Sequence, residues 1–265
     1  MSDERRPVTV ITGASSGIGA ALAHEFSAHG HELVLVARRE QALIGVADAI
    51  AAKGRARPTV LRMDVARVDA ARDIAKALAR RGLEPETVVN NAGFALLGQA
   101  DKLDRAEQLA MIDLNVRALT ELSLAFIDTL ERRKGGILNV ASIAGFFPGP
   151  GMAVYYATKA YVVSLSEALH QELKPRGVRV TALCPGPVPT EFQARAGIPS
   201  GLFPSFLAHS AEQVAKEGYQ GLKEGRLIVI PGFLNKMVLM VMRVLPQSLV
   251  LQLIHAHQKA RQAAS

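Results

Sequence analysis

Cysteine is nearly absent from this sequence, which contains Cys184 and no other cysteine. An internal disulfide is therefore excluded, and so is a metal site built from several thiolates. The seven histidines are dispersed and no HExxH pattern occurs, so no metal site is predicted. So little cysteine is typical of proteins from reducing compartments, and we expect a cytoplasmic location.

Long apolar runs and blocks of like charge are also missing. No apolar run reaches the roughly 18–20 residues that a transmembrane helix needs, and the charged first ten residues do not resemble a secretory signal. The net charge is +7 and the sequence pI is about 9.7. The basic residues are scattered, so a solvated basic surface is the simplest interpretation. Nucleic-acid binding is not expected, because no RNP-type motif or basic helix occurs.

The sequence does contain an alternation of apolar, β-type runs with longer helical patterns. Strands are predicted at 7–12, 31–37, 58–63, 86–91, 135–142, 178–186 and 226–230, and helices at 17–29, 40–53, 69–81, 101–132, 154–175 and 211–223. Strands that are apolar nearly throughout are typical of a parallel sheet covered on both faces. The predicted fold is a single α/β domain over residues 1–232, a doubly wound parallel sheet of the Rossmann type with about seven strands. A helical extension over 233–265 follows it.

A glycine-rich turn follows the first predicted strand, in the segment TGASSGIG at 12–19. Gly13, Gly17 and Gly19 permit a tight turn, and a helix begins directly after it. The free N–H groups and the dipole of that helix favour a pyrophosphate. The spacing differs from the usual G-x-G-x-x-G dinucleotide fingerprint, and the alternative is a purely structural turn.

The end of the second predicted strand, VLVARRE, indicates which cofactor is bound. An acidic residue near this point usually holds the adenosine ribose hydroxyls, but here Ala37 is followed by Arg38 and Arg39. A guanidinium forms charge-assisted, bidentate bonds to a 2′-phosphate. We therefore expect NADP(H) rather than NAD(H). The alternative is that both arginines are merely solvated.

Three tyrosines and one lysine occur in the segment YYATKAY at 155–161. Tyr155 and Lys159 are four residues apart and share one helix face, whereas neither of the other tyrosines is followed by a lysine at that spacing. We expect the Lys159 ammonium to lower the pKa of Tyr155, which makes this phenol a candidate general acid or base. Ser142 follows the fifth predicted strand, at the edge of the sheet where ligands bind.

Six motifs occur in a fixed order along the chain. They are TGASSGIG at 12–19, NNAG at 90–93, NV at 115–116, Ser142, YYATK at 155–159 and PGPVPT at 185–190. In type, order and spacing they resemble the short-chain dehydrogenase/reductase family over about residues 7–231. The resemblance implies hydride transfer between a nicotinamide cofactor and a carbonyl or alcohol.

The resemblance also implies a role for each matching residue. Tyr155 resembles the general acid/base, Lys159 lowers its pKa and holds the nicotinamide ribose, and Ser142 orients the substrate oxygen. Asn115 resembles the asparagine that interrupts a long helix and anchors a water in a proton relay to the lysine; the alternative is an interior amide satisfied locally. The implied cofactor-binding residues are Gly13, Ser15, Ser16, Gly17, Ile18, Gly19, Arg38, Arg39, Asp64, Val65, Asn91, Ala92, Gly93, Tyr155, Lys159, Pro185, Gly186, Val188 and Thr190.

The substrate side is less well defined by the sequence. A segment at about 188–210 is rich in proline, glycine and apolar residues, and it resembles the family's mobile substrate loop. Phe94, Phe146, Phe147 and Met152 lie beside the active-site segments. They favour an apolar pocket for a bulky carbonyl substrate. The alternative is that these side chains belong to the core.

The chain continues past the last predicted strand with residues 233–265, where many family members end. The stretch from Met237 to Leu245 is almost entirely apolar and is followed by Pro246, and a second amphipathic helix is predicted from Gln247. Three interpretations are open: a lid over the pocket or a contact between subunits, a helix on a membrane surface, and disorder. The basic end of the segment favours peripheral membrane contact.

The leading functional hypothesis is an NADP(H)-dependent oxidoreductase that interconverts a carbonyl and an alcohol. The alternative is a catalytically silent protein of the same fold that senses a cofactor or acts as a scaffold. Related enzymes assemble through the long helices that correspond to 101–132 and 154–175, so a homo-oligomer, either a dimer or a tetramer, is expected.

Overall fold

The computed structural model describes residues 5–197, 208–246, 248–249 and 251–252. The strands are β1 (Arg6–Thr12), β2 (Leu33–Ala37), β3 (Thr59–Arg62), β4 (Leu83–Asn90), β5 (Gly136–Val140), β6 (Arg179–Leu183) and β7 (Ile228–Val229). They form one sheet in the order β3-β2-β1-β4-β5-β6-β7, and every pair of neighbours is parallel. The predicted doubly wound parallel sheet is thereby confirmed.

Helices connect the strands and cover both faces of the sheet. They are α1 (Gly17–Ala28), α2 (Glu40–Ala51), α3 (Ala70–Ala79), α4 (Arg105–Ile112), α5 (Leu119–Ala125), α6 (Ile127–Arg133), α7 (Ala153–Leu173), α8 (Glu191–Arg195), α9 (Ala211–Lys223) and α10 (Phe233–Val244). The short helix α8 was not predicted and lies inside the segment interpreted as the substrate loop.

The single helix predicted over 101–132 is wrong, because the chain is interrupted twice in this region. Between α4 and α5 it widens into a π-helical segment, Asp113–Ala118, which contains Asn115. Phe126, with φ of −114°, separates α5 from α6. The apolar pattern continues across both interruptions, so periodicity alone predicts one helix. Short π-helical segments are frequent at functional sites.

Five predicted strands, at 31–37, 58–63, 135–142, 178–186 and 226–230, are longer than the observed ones, and the last two differ most in proportion to their length. The run at 178–186 ends as a strand at Leu183, shortly before Pro185, which has no N–H to donate to a neighbouring strand. The run at 226–230 pairs with β6 only through Ile228 and Val229, because it lies at the edge of the sheet.

Alternate strand residues pack on opposite faces of the sheet, which gives the domain two apolar clusters. Ile11 and Leu35 belong to the cluster covered by α1, α2 and α9. Their neighbours Val10 and Val34 belong to the cluster covered by α3, α5, α6 and α7. Burying one such aliphatic side chain contributes about 1.5–3 kcal/mol. These two layers hold the carboxyl edge of the sheet rigid beneath the functional residues.

The strand order reverses between β1 and β4, and the ends of these two strands are tied together. The Thr12 hydroxyl donates to the Val89 carbonyl at 3.2 Å and accepts from the Asn91 amide at 3.0 Å. The Asn91 side chain donates to the carbonyls of Thr12 at 2.9 Å and Gly13 at 3.1 Å. A reversal of this kind opens a crevice at the carboxyl ends of the strands.

Some expectations concern parts of the chain that lie outside the described residues. These are positions 198–207 of the predicted substrate loop, and Gln247 with most of the second helix predicted in the extension. Across the described ranges, no helix is long and apolar enough to cross a membrane. The same ranges contain no group of three or more His, Cys, Asp or Glu residues arranged to hold a metal ion.

Candidate functional site

A cavity of about 730 Å³ opens at the carboxyl edge of the sheet. Its wall contains every residue predicted to bind the cofactor, together with Ser142. Asn115 is the exception among the predicted site residues, because it lies behind the wall and is 1 % exposed. One continuous space therefore joins the glycine turn to the serine–tyrosine–lysine group.

The glycine turn between β1 and α1 is too tight for any side chain at Gly19. An ideal Cβ there would lie 2.2 Å from the Gly13 carbonyl oxygen and 2.5 Å from Asn91 Nδ2. Gly13 and Gly17 adopt φ of 64° and 55°, in the left-handed region that favours glycine. Ser16 precedes α1 and its side chain does not cap the helix. The first amide groups of α1 are thus open to an anion, and the turn fits a dinucleotide pyrophosphate.

Arg38 and Arg39, here called the arginine cluster, line the cavity at the end that contains the glycine turn. The Arg39 guanidinium donates to the hydroxyls of Ser15 at 3.2 Å and Ser16 at 2.8 Å. Of the two arginines, Arg39 is the one that forms hydrogen bonds with the turn.

Glu191 at the start of α8 was not predicted and lies against this cluster. Its carboxylate is 2.8 Å from the Arg39 guanidinium. Hydrogen bonds from Arg39 and then from Ser16 lower the pKa of Glu191. The carboxylate thus binds the same donors that a phosphate group would use. No sequence motif marks this contact, since it joins two segments that are distant along the chain.

Tyr155 lies at the opposite end of the cavity and is buried, with 8 % of its surface exposed. The Ser142 side chain lies near its hydroxyl and acts to lower its pKa. The Ser142 hydroxyl also accepts from the Ala144 amide at 3.1 Å and donates to the Pro185 carbonyl at 3.4 Å. Of the other tyrosines in this segment, Tyr161 is at the surface and bonds to Thr120.

The structure does not support the expectation that Lys159 lowers the pKa of Tyr155. Burial raises the pKa of Tyr155 well above its ordinary value, and the nearby Ser142 side chain only partly opposes this. Lys159 Nζ donates to the Val140 carbonyl at 2.8 Å and lies 5.9 Å from the centroid of the Tyr155 ring. Burial also lowers the pKa of Lys159 to about 8. The phenol is therefore held in its protonated form.

Asn115 is fixed behind the wall by three hydrogen bonds. Its Nδ2 donates to the Phe94 carbonyl at 2.9 Å and to Thr158 Oγ1 at 3.2 Å, and its Oδ1 accepts from the Phe94 amide at 3.1 Å. A Cβ on Gly93 would lie 2.9 Å from this oxygen and 3.7 Å from Lys159 Nζ. Glycine at this position allows the amide and the lysine to approach each other.

The substrate end differs in part from the sequence expectation. Of the four apolar residues singled out there, only Met152 lines the cavity. Phe94 is buried in a neighbouring cluster, and Phe146 packs against another. The wall instead uses residues that the sequence did not single out: Leu114, Ile143, Ala144, Tyr156, Phe192, Gln193 and Arg195. This end of the cavity is mainly apolar, and its wall contains a guanidinium in addition to Lys159.

That cation, Arg195, lies against an aromatic ring. Its guanidinium carbon is 4.3 Å from the centroid of the Phe94 ring. Burial lowers the pKa of Arg195, and the nearby charge of Arg38 acts in the same direction. Only a folded chain brings α8 and the segment after β4 together, so no local pattern predicts this contact.

Comparisons with known proteins agree with the geometry. A family model described as short chain dehydrogenase matches residues 7–198. A sulfoacetaldehyde reductase from Chromohalobacter salexigens is 39 % identical over 215 residues, which cover 78 % of this chain and 84 % of that protein.

Solved structures share the fold over almost the whole chain. A short-chain dehydrogenase from Sphingobium yanoikuyae in complex with NADPH is 32 % identical, has a TM-score of 0.78, and is matched over 92 % of this chain and 98 % of its own. A short chain dehydrogenase/reductase from Burkholderia phymatum in complex with NAD is 25 % identical, with a TM-score of 0.79 and coverage of 92 % and 95 %. The chain belongs to the short-chain dehydrogenase family of oxidoreductases, whose members include proteins bound to either nicotinamide cofactor.

Proposed function

We propose that this protein is an NADP(H)-dependent oxidoreductase that interconverts a carbonyl and an alcohol, with Tyr155 as the general acid/base. The observation that carries the proposal is the continuity of one cavity from the glycine turn to Ser142, the buried Tyr155 and Lys159. A silent scaffold would have no need for a phenol and a lysine that are both buried in a cavity wall.

The cofactor would be held along the whole wall of the crevice. Gly13, Gly17 and Gly19 would hold the pyrophosphate, and Arg39 with Ser16 would hold the 2′-phosphate. The other predicted residues of the wall, Ser15, Ile18, Arg38, Asp64, Val65, Asn91, Ala92, Gly93, Pro185, Gly186, Val188 and Thr190, would enclose the rest. The bound nicotinamide supplies the hydride, and the protein supplies position and protons.

The proton chemistry follows from the state of the phenol. A protonated, buried Tyr155 can donate to the oxygen of a carbonyl that Ser142 orients. Lys159 would return a proton to the phenol, through a relay that includes a water held by Asn115. In the direction of alcohol oxidation, the positive charge of the oxidised nicotinamide would favour phenolate and so oppose the effect of burial.

The substrate that the cavity favours is a bulky, apolar ketone or aldehyde. Ile143, Met152 and Phe192 present apolar surface close to Tyr155. A second candidate is a small anionic carbonyl such as sulfoacetaldehyde, because Arg195 lies in the same wall and a related protein carries that activity in its name. An apolar wall interacts favourably with hydrocarbon and not with a sulfonate.

A screen of carbonyl compounds, followed by the fluorescence of NADPH, tests the function and the substrate class together. Bulky apolar ketones are expected to give a kcat/KM at least about tenfold above that of sulfoacetaldehyde. The reverse order would replace the apolar substrate with the anionic one. NADPH binding without turnover of any compound would favour the silent alternative.

We also infer a homo-oligomer assembled through the helices that flank the site. Leu109, Leu124 and Tyr161 on α4, α5 and α7 expose 51 %, 49 % and 39 % of their surface. Side chains of this size on adjacent helices are typical of a subunit interface. Light scattering after size exclusion is expected to give a mass at least twice that of the 28.3 kDa chain. A monomer at all concentrations would contradict the inference.

A further inference from the structure

Helix α10 exposes most of its apolar surface. Its exposed large side chains are Phe233 (72 %), Leu234 (46 %), Met237 (40 %), Val238 (43 %), Met240 (62 %) and Val241 (51 %). Among the side chains of α10 that the structure describes, Asn235 and Leu239 are the buried ones. A helix of a globular protein normally presents charged or polar residues to water on the side opposite its buried stripe. In the described part of α10, Lys236 is the one charged residue on the exposed side.

The exposed face is fixed in place on the protein body. Asn235 Nδ2 donates to the Pro231 carbonyl at 3.0 Å and lies so close to Gly186 that a Cβ there would be 2.6 Å away. The helix also packs against the turn Ile143–Phe146 that follows Ser142. α10 does not contribute to the cavity wall formed by the described chain. The outward face therefore needs an occupant other than this domain.

The charge of the extension indicates what that occupant is. Residues 233–265 contain no aspartate or glutamate, and their charged residues are Lys236, Arg243, Lys259 and Arg261. A second copy of the chain would bring like charges together at this face. An anionic lipid surface offers both an apolar layer and opposite charge, and each basic residue near such a surface contributes to binding. The apolar runs are too short to span a bilayer.

We propose that α10 docks on the surface of an anionic bilayer, with the helix axis in the membrane plane. Phe233, Met237, Met240 and Val241 follow the spacing of one helix face and enter the boundary between headgroups and acyl chains. The docking does not depend on the reaction proposed for the cavity.

Cosedimentation of the full-length protein with lipid vesicles tests the proposal. Vesicles of phosphatidylcholine alone are compared with an equal mixture of phosphatidylcholine and phosphatidylserine. The wild-type protein is expected to bind the mixed vesicles at least about tenfold more strongly than the neutral ones, and to dissociate as salt is raised. Equal binding to both vesicles would overturn the electrostatic part of the proposal.

A fourfold variant tests the helix face itself. Phe233→Gln, Met237→Gln, Met240→Gln and Val241→Gln keep a good helix-forming residue at exposed positions. The variant is expected to lose at least about tenfold in vesicle binding, with circular dichroism and NADPH binding retained. Val68→Gln is the matched control, because Val68 is a 70 % exposed apolar side chain elsewhere on the surface. Unchanged binding by the fourfold variant would overturn the proposal. The proposal would also be overturned if the wild-type protein did not bind vesicles and the fourfold variant had a different mass from it in light scattering. That result would show that the exposed face of α10 joins copies of the chain.

Discussion

Replacing Tyr155 with phenylalanine is expected to lower the kcat of carbonyl reduction about 10²- to 10⁴-fold, the range that general acid catalysis contributes. The substitution removes only the hydroxyl, so the packing of a side chain that is 8 % exposed is retained. NADPH binding, measured by fluorescence, should change little, because the pyrophosphate and the 2′-phosphate are proposed to bind the glycine turn, Ser16 and Arg39 rather than the phenol. A fall in kcat with an unchanged dissociation constant for NADPH would mark a chemical role.

Tyr161→Phe is the matched control for this experiment. Tyr161 is on the same helix, is 39 % exposed, and its hydroxyl bonds to Thr120 at 2.9 Å on the outer surface. Its loss is expected to change kcat less than about twofold, because Tyr161 lies outside the cavity wall and the aromatic ring proposed for the subunit interface is kept. Full activity in Tyr155→Phe would refute the assigned acid/base role, and equal losses in both variants would point to the helix rather than the phenol.

Replacing Arg39 with alanine is expected to lower kcat/KM for NADPH about 10- to 100-fold and to change that for NADH far less. The expectation follows from the position of the guanidinium beside Ser15 and Ser16 at the end of the glycine turn. A hydrogen bond to a charged group contributes about 1.5–3 kcal/mol, which corresponds to roughly one to two powers of ten. Steady-state kinetics with the two cofactors measures the difference directly.

Glu191→Gln should act in the opposite direction. The Glu191 carboxylate binds the Arg39 guanidinium at 2.8 Å and competes with a phosphate for it. Its neutralisation is expected to strengthen NADPH binding about two- to fivefold, the scale of an exposed ion pair. Arg57→Ala is the control, since Arg57 is an exposed arginine paired with Asp48 away from the cavity. Equal losses with NADPH and NADH in Arg39→Ala, or a wild-type preference for NADH, would contradict the NADP(H) assignment.

The sequence predicts the fold well because local signals dominate there. The spacing and composition of apolar residues define the strands. The glycines of the turn form a motif that can be recognised in the sequence alone. The residues at the ends of the strands could be predicted for the same reason, since parallel topology brings all carboxyl ends to one edge. Thr12 and Asn91 illustrate this, because each follows an apolar run and the two bond to each other.

The features that the sequence does not predict depend on contacts between distant segments or on burial. Glu191 meets Arg39, and Arg195 meets Phe94, only after the chain has folded. The pKa of Tyr155 follows its depth in the cavity more than the residue one helical turn away. The spacing to Lys159 was correct, but its cation is turned toward the Val140 carbonyl.

The reversal of strand order between β1 and β4 has a consequence for how such a protein diversifies. Arg39 and the glycine turn belong to the half formed by β1 to β3, whereas Ser142 and Tyr155 belong to the half formed by β4 to β7. The hydrogen bonds between Thr12 and Asn91 connect these two halves. Substitutions in one half can accumulate without changing the strand register of the other half. The proposed preferences for nucleotide and for substrate are therefore expected to change independently, except at the ion pair of Arg39 with Glu191, which joins the two halves.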